Sequence, residues 1–138
     1  MKTKLLIIIF TTMLTGCAVL SMFQFKKFDS IQLLQLSTIT VTASDMEQYC
    51  ASTDVPELKK SLNLLSTQTK LFLEYSLNKE NELESIIAAK NINNMVANFK
   101  TVLNDQDNKV SERFCLAKLA NIQEASRTIS KSIGQRNE

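Results

Sequence analysis

The first long stretch with a regular spacing of apolar residues covers residues 29–50. Its apolar residues recur at steps of three and four, which places them on one side of an α-helix. They are Leu36, Ile39, Ala43, Met46 and Tyr49. The β-branched run at residues 38–42 favours a strand locally, but the longer period extends across it. The pattern therefore predicts a first helix over residues 29–50.

Three further helices are predicted from the same kind of spacing. The second covers residues 56–77, because Pro56 suits a first helical position and the residues before it include candidate caps. The third follows a polar break at residues 78–81 and ends near Leu103. The fourth covers residues 109–133, with Gly134 just past its end. The apolar residues behind these predictions are Leu58, Leu62, Leu65, Phe72 and Leu73 in the second helix, Leu83, Ile86, Ile87, Met95, Val96, Phe99 and Val102 in the third, and Val110, Phe114, Ile122, Ala125 and Ile129 in the fourth.

Four helices of about 20 residues joined by short turns are typical of an up-down bundle. We therefore predict an all-α, four-helix, bundle-like single domain over residues 29–138, with no internal repeat and no linker that divides it. In an up-down bundle the end of the first helix and the start of the fourth share one end. Cys50 and Cys115 are both predicted near that end.

The segment before this domain has the organisation of a lipoprotein signal. Lys2 and Lys4 form a positive n-region, residues 5–13 are mostly apolar, and the sequence LTGC at residues 14–17 places a small residue before a cysteine. The apolar run is shorter than the roughly 20 residues that a transmembrane helix needs. We predict a signal peptide over residues 1–16, acylation of Cys17, and a tether over residues 17–28. The alternative is that Cys17 is only a small apolar residue within an N-terminal anchor.

The composition excludes several classes of chemistry. The chain has no histidine, the side chain that most often acts as general base or metal ligand near neutral pH, so Ser-His-Asp and Cys-His catalytic arrangements are excluded and the usual zinc sites with them. After Cys17 the only glycine is Gly134, so no Gly-rich loop can hold a phosphate. We therefore expect no enzyme activity, no metal, no cofactor and no small-molecule substrate.

The charge balance argues against a nucleic-acid partner. The full chain has 16 Lys and Arg residues against 14 Asp and Glu residues. Lys2 and Lys4 are removed with the predicted signal peptide, so the chain that begins at Cys17 carries equal numbers of both signs. Binding to nucleic acid depends on an excess of Lys and Arg, and none is expected here.

Two cysteines remain after the predicted lipidation, Cys50 and Cys115. An even number of cysteines in a chain that leaves the cytoplasm favours a disulfide bond, because the periplasm is oxidising. The alternative is two buried free thiols.

The predicted lipobox, the short tether, the all-helical domain and the sequence CASTDVP at residues 50–56 together resemble the PulS/OutS family of type II secretion pilotins. That family also has a second cysteine in its last helix, where Cys115 lies, and links the two. The resemblance covers the layout of most of the chain after Cys17, but in residues only CASTDVP and the two cysteines. Residues 59–108 match no motif of the family.

This resemblance implies a lipoprotein of the outer membrane, on its periplasmic face, that binds the C-terminal segment of the secretin subunit and escorts it to the outer membrane through the lipoprotein sorting machinery. Ala18 is compatible with outer-membrane sorting, since the retention signal at that position is typically Asp. The alternative is a periplasmic immunity lipoprotein that inhibits a toxin, although a balanced charge lacks the acidic surface usual in such inhibitors. A self-associating envelope lipoprotein would need sustained heptads, and the periods here break at each turn.

An amphipathic segment that folds into a groove between helices is a known recognition mode. Apolar residues outside the main stripes are candidates for the walls of such a groove. They are Leu64, Leu71, Leu116 and Leu119. For each of them the alternative is an ordinary core position.

Overall fold

The protein is represented by a computed structural model, which describes residues 29–52, 55–79, 82–106 and 110–135. All regular secondary structure within these ranges is helical, apart from single-residue turns. The helices are α1 (Ser30–Asp45), α2 (Glu47–Ser52), α3 (Val55–Leu77), α4 (Leu83–Asp105) and α5 (Glu112–Gly134). The predicted all-α fold with four long helices is confirmed.

The four long helices occupy the corners of a bundle. α1 packs most extensively against α5, α3 against α4, and α1 also packs against α3, whereas α4 and α5 contact each other less. α1 and α4 do not pack against each other, nor do α3 and α5, so these two pairs lie on the diagonals. Neighbouring helices run antiparallel: Asp29 at the start of α1 contacts Tyr75 near the end of α3, and Glu47 of α2 contacts Gln123 of α5.

The core is formed by the apolar faces of all four long helices. Its largest fully buried side chains include Phe72 of α3 and Phe99 of α4. Core positions recur at steps of three and four because that spacing keeps side chains on one helix face. The other buried apolar residues are Leu36, Ile39, Ala43, Met46, Cys50, Leu58, Leu62, Leu65, Ala89, Ile92, Val96, Leu103, Cys115, Leu119, Ile122 and Ile133.

The first helix differs from its prediction, because it is interrupted by a turn at Met46. The hydroxyl of Thr38 donates to the carbonyl of Leu34 at 2.9 Å, and that of Thr40 donates to Leu36 at 2.8 Å. Such bonds to the carbonyl four residues earlier favour bending within residues 34–40, which precede the turn at Met46. The apolar stripe continues through the turn, since Met46 is itself buried, so periodicity alone could not reveal the break.

The boundaries of the last helix also differ from those predicted. α5 begins at Glu112, where the side chain of Ser111 caps it by accepting a hydrogen bond from the backbone N–H of Phe114 at 3.2 Å. Gly134 is the last residue of α5 and not the residue after it. The predicted caps before Pro56 at residues 53–54 lie outside the described residues.

Two residues of the predicted apolar stripe on α4 face away from the core. Leu83 is 69% exposed and Ile87 is 50% exposed. The buried positions at this level are Ser85 and Ala89, each two residues further along the helix. A step of two residues turns an α-helix by roughly 200°, so Leu83 and Ile87 lie on the outer side.

The two ends of the bundle are distinct. At the end that we call the Asp29 end, α1 begins, α3 ends, α4 begins and α5 ends. At the opposite end, the disulfide end, α2 lies beside the start of α5, α3 begins and α4 ends.

Candidate functional site

The predicted disulfide bond between Cys50 and Cys115 is confirmed. It joins α2 to the first turn of α5 across a sequence separation of 65 residues, with the two Cα atoms 5.7 Å apart. Both cysteines are buried. Closing a loop of this length stabilises the folded state by about 4 kcal/mol in the chain-entropy treatment, whose mechanism is debated.

The predicted lipidation site, Cys17, lies outside the described residues, as do the signal peptide and the tether. Among the residues that the structure describes, no helix combines the length and hydropathy needed to cross a membrane. The same residues contain no group of three or more Cys, Asp or Glu side chains arranged to hold a metal ion.

The four leucines predicted as walls of a groove are not brought together. Leu64 and Leu71 lie on the outer side of α3, 54% and 58% exposed. Leu116 is half-buried against the core. Leu119 is fully buried within the core, which was the alternative to a groove position for this residue. Because α3 and α5 lie on a diagonal of the bundle and do not pack together, the four side chains do not form one surface.

A groove does lie between α1 and α5, and we call it the α1–α5 groove. It has a volume of about 370 Å³ and is open to solvent. Its lining is mainly apolar on the α1 side, from Leu33 and Val41. The full lining is Leu33, Ser37, Thr40, Val41, Arg127, Ser130 and Lys131. The groove therefore combines an apolar wall on α1 with two cations on α5.

The α1 wall is unusual for a surface helix because it carries no charge. No Asp, Glu, Lys or Arg occurs in residues 30–44, and the outer side of α1 exposes Ile31, Leu34 and Val41. An exposed helix normally presents charged residues opposite its core face. An uncharged, partly apolar outer face instead indicates a surface that contacts another molecule.

Two of the three hydroxyl groups that line the groove, those of Thr40 and Ser130, donate hydrogen bonds to their own helices. Thr40 donates to the carbonyl of Leu36 at 2.8 Å, and Ser130 donates to that of Ser126 at 2.9 Å. Their lone pairs remain able to accept a hydrogen bond from a bound molecule. These two hydroxyls thus impose no unsatisfied donor on an apolar partner.

The two cations of the groove have no carboxylate partner among the described residues. Arg127 donates to the side-chain oxygen of Gln123 at 3.2 Å, and Gln123 in turn donates to Glu47 at 2.6 Å. The three described ion pairs involve Lys60 and Lys79, and neither Arg127 nor Lys131 takes part in them. Both cations are available for a carboxylate of a bound molecule.

A second, smaller groove lies between α3 and α4. Its volume is about 270 Å³, and Lys59, Asn63, Lys100 and Asn104 surround the buried side chains of Leu62 and Leu103. The accessible side chains are therefore polar. This groove offers no apolar wall comparable to that of α1.

A polar cluster holds the Asp29 end together. The carboxylate of Asp29 accepts hydrogen bonds from the backbone N–H groups of Ile31 at 3.0 Å and Gln32 at 2.9 Å, which caps α1. It also accepts from the hydroxyl of Tyr75 at 3.3 Å and pairs with the ammonium of Lys79. Asp29 thus links the start of α1 to the end of α3.

Lys79 extends this cluster to α4, because its Nζ lies 3.0 Å from a carboxylate oxygen of Glu82. A second oxygen of Glu82 accepts a hydrogen bond from Ser85 at 2.9 Å. The ammonium of Lys79 also lies 5.8 Å from the centre of the Tyr75 ring, within the range of a cation–π contact. One lysine therefore connects three helix ends.

The pKa values in the cluster follow from these contacts. Burial raises the pKa of Asp29, but the hydrogen bonds from Lys79 and Gln32 outweigh it, so the pKa lies below its ordinary value. Burial lowers the pKa of Lys79, but its bonds to Asp29 and Glu82 reverse the direction and leave it raised. Burial and the charge of Asp29 raise the pKa of Tyr75.

The chain matches no family model, no curated protein and no solved structure. The α1–α5 groove cannot be predicted from the sequence, because the sequence does not show that the first and last helices pack side by side. A signal was present in the sequence nonetheless: 15 consecutive residues without charge at 30–44.

Proposed function

We propose that this chain is the pilotin of a type II secretion system, a lipoprotein held at the periplasmic face of the outer membrane through Cys17 that binds the C-terminal segment of the secretin subunit. The observation that carries the proposal is the α1–α5 groove, an open apolar groove on a small disulfide-linked helical domain. The order of lipobox, tether, helical domain and CASTDVP supports it as a resemblance.

The groove fits a short amphipathic helix. A helix laid between α1 and α5 would place its apolar side chains against Leu33 and Val41 and its carboxylates near Arg127 and Lys131. Burial of apolar area supplies the affinity, and the two cations set the register and orientation of the segment. A segment that is disordered when free gives up part of this binding energy to become ordered.

A peptide-binding measurement tests this proposal. The soluble domain, made with Cys17→Ser, is titrated with a labelled peptide from the C-terminus of the secretin encoded by the same genome, and fluorescence anisotropy gives the Kd. The charge reversal of Arg127 and Lys131 to Glu should weaken binding by about tenfold or more, since each reversal replaces an attraction with a repulsion. The matched control reverses Lys59 and Lys100 in the α3–α4 groove, and its Kd should stay unchanged.

A second matched pair tests the apolar wall. Val41 on α1 and Leu71 on α3 are similarly exposed, 55% and 58%, so we expect both to be replaceable by Asp without loss of the fold. Val41→Asp should weaken peptide binding strongly, whereas Leu71→Asp should not. The opposite result would place the binding surface on α3. No measurable binding of the peptide to the unaltered domain would overturn the proposed function.

The role of the lipid is tested in cells. Cys17→Ser removes the predicted acyl acceptor and leaves the helical domain untouched, so folding and peptide binding should survive while membrane attachment is lost. With this variant as the only copy, secretin multimers should shift from the outer to the inner membrane or be degraded. Fractionation that finds secretin in the outer membrane in normal amounts would contradict a pilotin role.

A further inference from the structure

Exposed apolar side chains are concentrated at one end of the bundle. Among the described residues, eight large apolar side chains are exposed, and five of them lie within five helical residues of the Asp29 end. We call these five the apolar rim: Ile31, Leu34, Leu77, Leu83 and Ile87. At the disulfide end, the described residues of α2 and the five residues of α3, α4 and α5 nearest that end expose no large apolar side chain.

The interior at the level of the apolar rim is partly polar. Gln32, Ser76 and Ser85 are buried there beside Ile133. Within the described residues, neither the side-chain nitrogen of Gln32 nor the hydroxyl of Ser76 has a hydrogen-bond partner. Five large apolar side chains are thus exposed at this level while three polar side chains are buried, a departure from the usual arrangement in a protein surrounded by water. This departure favours contact between the outside of the Asp29 end and an apolar environment.

The course of the chain identifies that environment. Eleven residues separate Cys17 from Asp29, and they span at most about 40 Å when fully extended. α4 has 23 residues and is about 35 Å long, so the disulfide end lies about that far from Asp29. The Asp29 end is therefore the end of the bundle at which the chain continues towards Cys17.

We infer that the apolar rim is a membrane-contact surface, and that the Asp29 end rests on the lipid bilayer with Leu83 and Ile87 among the side chains that enter its interface. This inference rests on the anchoring through Cys17 in the proposed function. The contact is apolar in character, because Lys79 is paired with both Asp29 and Glu82 and the charge of the exposed Lys131 is opposed by that of the exposed Glu84. With the Asp29 end on the bilayer, the disulfide end faces away from the membrane.

Single tryptophans can test this contact, because the chain contains none. The acylated full-length protein is reconstituted into phosphatidylethanolamine and phosphatidylglycerol vesicles whose acyl chains carry bromine, a contact quencher. An interfacial apolar surface lies roughly 5–10 Å into the boundary between headgroups and acyl chains, so Leu83→Trp and Ile87→Trp should each lose about half of their emission or more. The loss should persist at high salt, since apolar contact does not depend on charge screening.

Leu64→Trp is the matched control. Leu64 is 54% exposed, close to the 50% of Ile87, but it lies in the half of α3 nearer the disulfide end, and its emission should be unaffected by bromine. Equal quenching at Leu64 and Leu83, or none at Leu83, would overturn the membrane contact. Quenching that high salt abolishes would overturn it as well, because it would indicate an electrostatic encounter.

Two further readouts separate this inference from the proposed function. If the unaltered protein does not float with vesicles, the anchor and the membrane contact fail together. If it floats and binds the secretin peptide but Leu83→Trp is not quenched, only the membrane contact fails. A blue shift of Leu83→Trp emission that grows with protein concentration in the lipid-free Cys17→Ser domain would assign the apolar rim to a second copy of the chain and overturn the inference.

Discussion

The two ends of the bundle are held together by different chemistry. At the disulfide end, a covalent bond joins α2 to α5, and the exposed surface carries no large apolar side chain among the described residues. At the Asp29 end, a carboxylate, a lysine and a tyrosine join α1, α3 and α4, and apolar side chains are exposed. The first end should respond to reductant and the second to pH.

The difference also separates stability from contact with other molecules. The disulfide end has apolar residues inside, so its side chains contribute mainly to folding. The Asp29 end exposes apolar residues that contribute little to the folding of an isolated domain and are available to a surface outside it. We therefore expect substitutions at the two ends to divide into those that change the free energy of unfolding and those that change binding.

Removing the disulfide bond should give the largest loss of stability. Cys50→Ser together with Cys115→Ser, or reduction of the native protein, should lower the free energy of unfolding by about 4 kcal/mol. Urea unfolding of the Cys17→Ser domain with and without reductant measures this loss. Because Asp29 and Lys79 lie at the other end, the pH dependence described below should persist in the reduced domain if the ends are independent.

Breaking the polar cluster should give the next largest effect. Asp29→Ala removes the cap of α1 and the partner of Lys79, and we expect a loss of about 2 kcal/mol. Asp29→Asn keeps an oxygen for the cap but removes the charge, so it should be less destabilising. If the two variants are equally unstable, the ion pair with Lys79 and not the cap holds this end together.

Acid should weaken the Asp29 end selectively. The pKa of Asp29 is lowered in the folded protein, so its contribution to stability is complete above the ordinary value of 3.8 and is lost as the pH falls below it towards the folded pKa. Between about pH 6 and about pH 3, the free energy of unfolding should fall less in Asp29→Asn than in the unaltered domain. The difference should stay below about 1.4 kcal/mol for each unit by which the pKa of Asp29 is lowered. Equal losses would mean that other carboxylates dominate.

Alkaline conditions should act on the same cluster. The pKa values of Lys79 and Tyr75 are raised in the folded protein, so their contributions are complete below the ordinary values near 10 and are lost as the pH rises through the folded values. Tyr75→Phe should remove the tyrosine part of this dependence. Cys50 and Cys115 are joined and do not titrate, so these two side chains contribute nothing to it.

The helices and the disulfide bond could be predicted from the sequence because both depend on local or pairwise signals. The three- and four-residue spacing identifies each long helix, and the two cysteines that remain once Cys17 is set aside as the predicted lipidation site allow a single pairing. The break at Met46 could not be predicted, since Ala43, Met46 and Cys50 keep the same spacing across it.

The groove could not be predicted because it depends on which helices are neighbours. Leu71 and Leu119 are both apolar in the sequence, but one is exposed on α3 and the other is buried on α5, on opposite corners of the bundle. Spacing within a helix gives the side on which a residue lies and not the helix that this side meets. The uncharged stretch of α1 can be read from the sequence, but it indicates a contact surface only when the outer side of α1 is known.

The smallest effect on stability is expected from the apolar rim itself. Leu83→Ser should change the free energy of unfolding by less than about 0.5 kcal/mol, because Leu83 is 69% exposed and surface substitutions rarely exceed that range. Leu58→Ala near the disulfide end should instead cost about 2–5 kcal/mol, since Leu58 is buried in the core. Urea unfolding of both variants gives the contrast. A loss above about 1 kcal/mol for Leu83→Ser would mean that Leu83 packs within the bundle, and the two ends would then differ in their bonds but not in their use of apolar side chains.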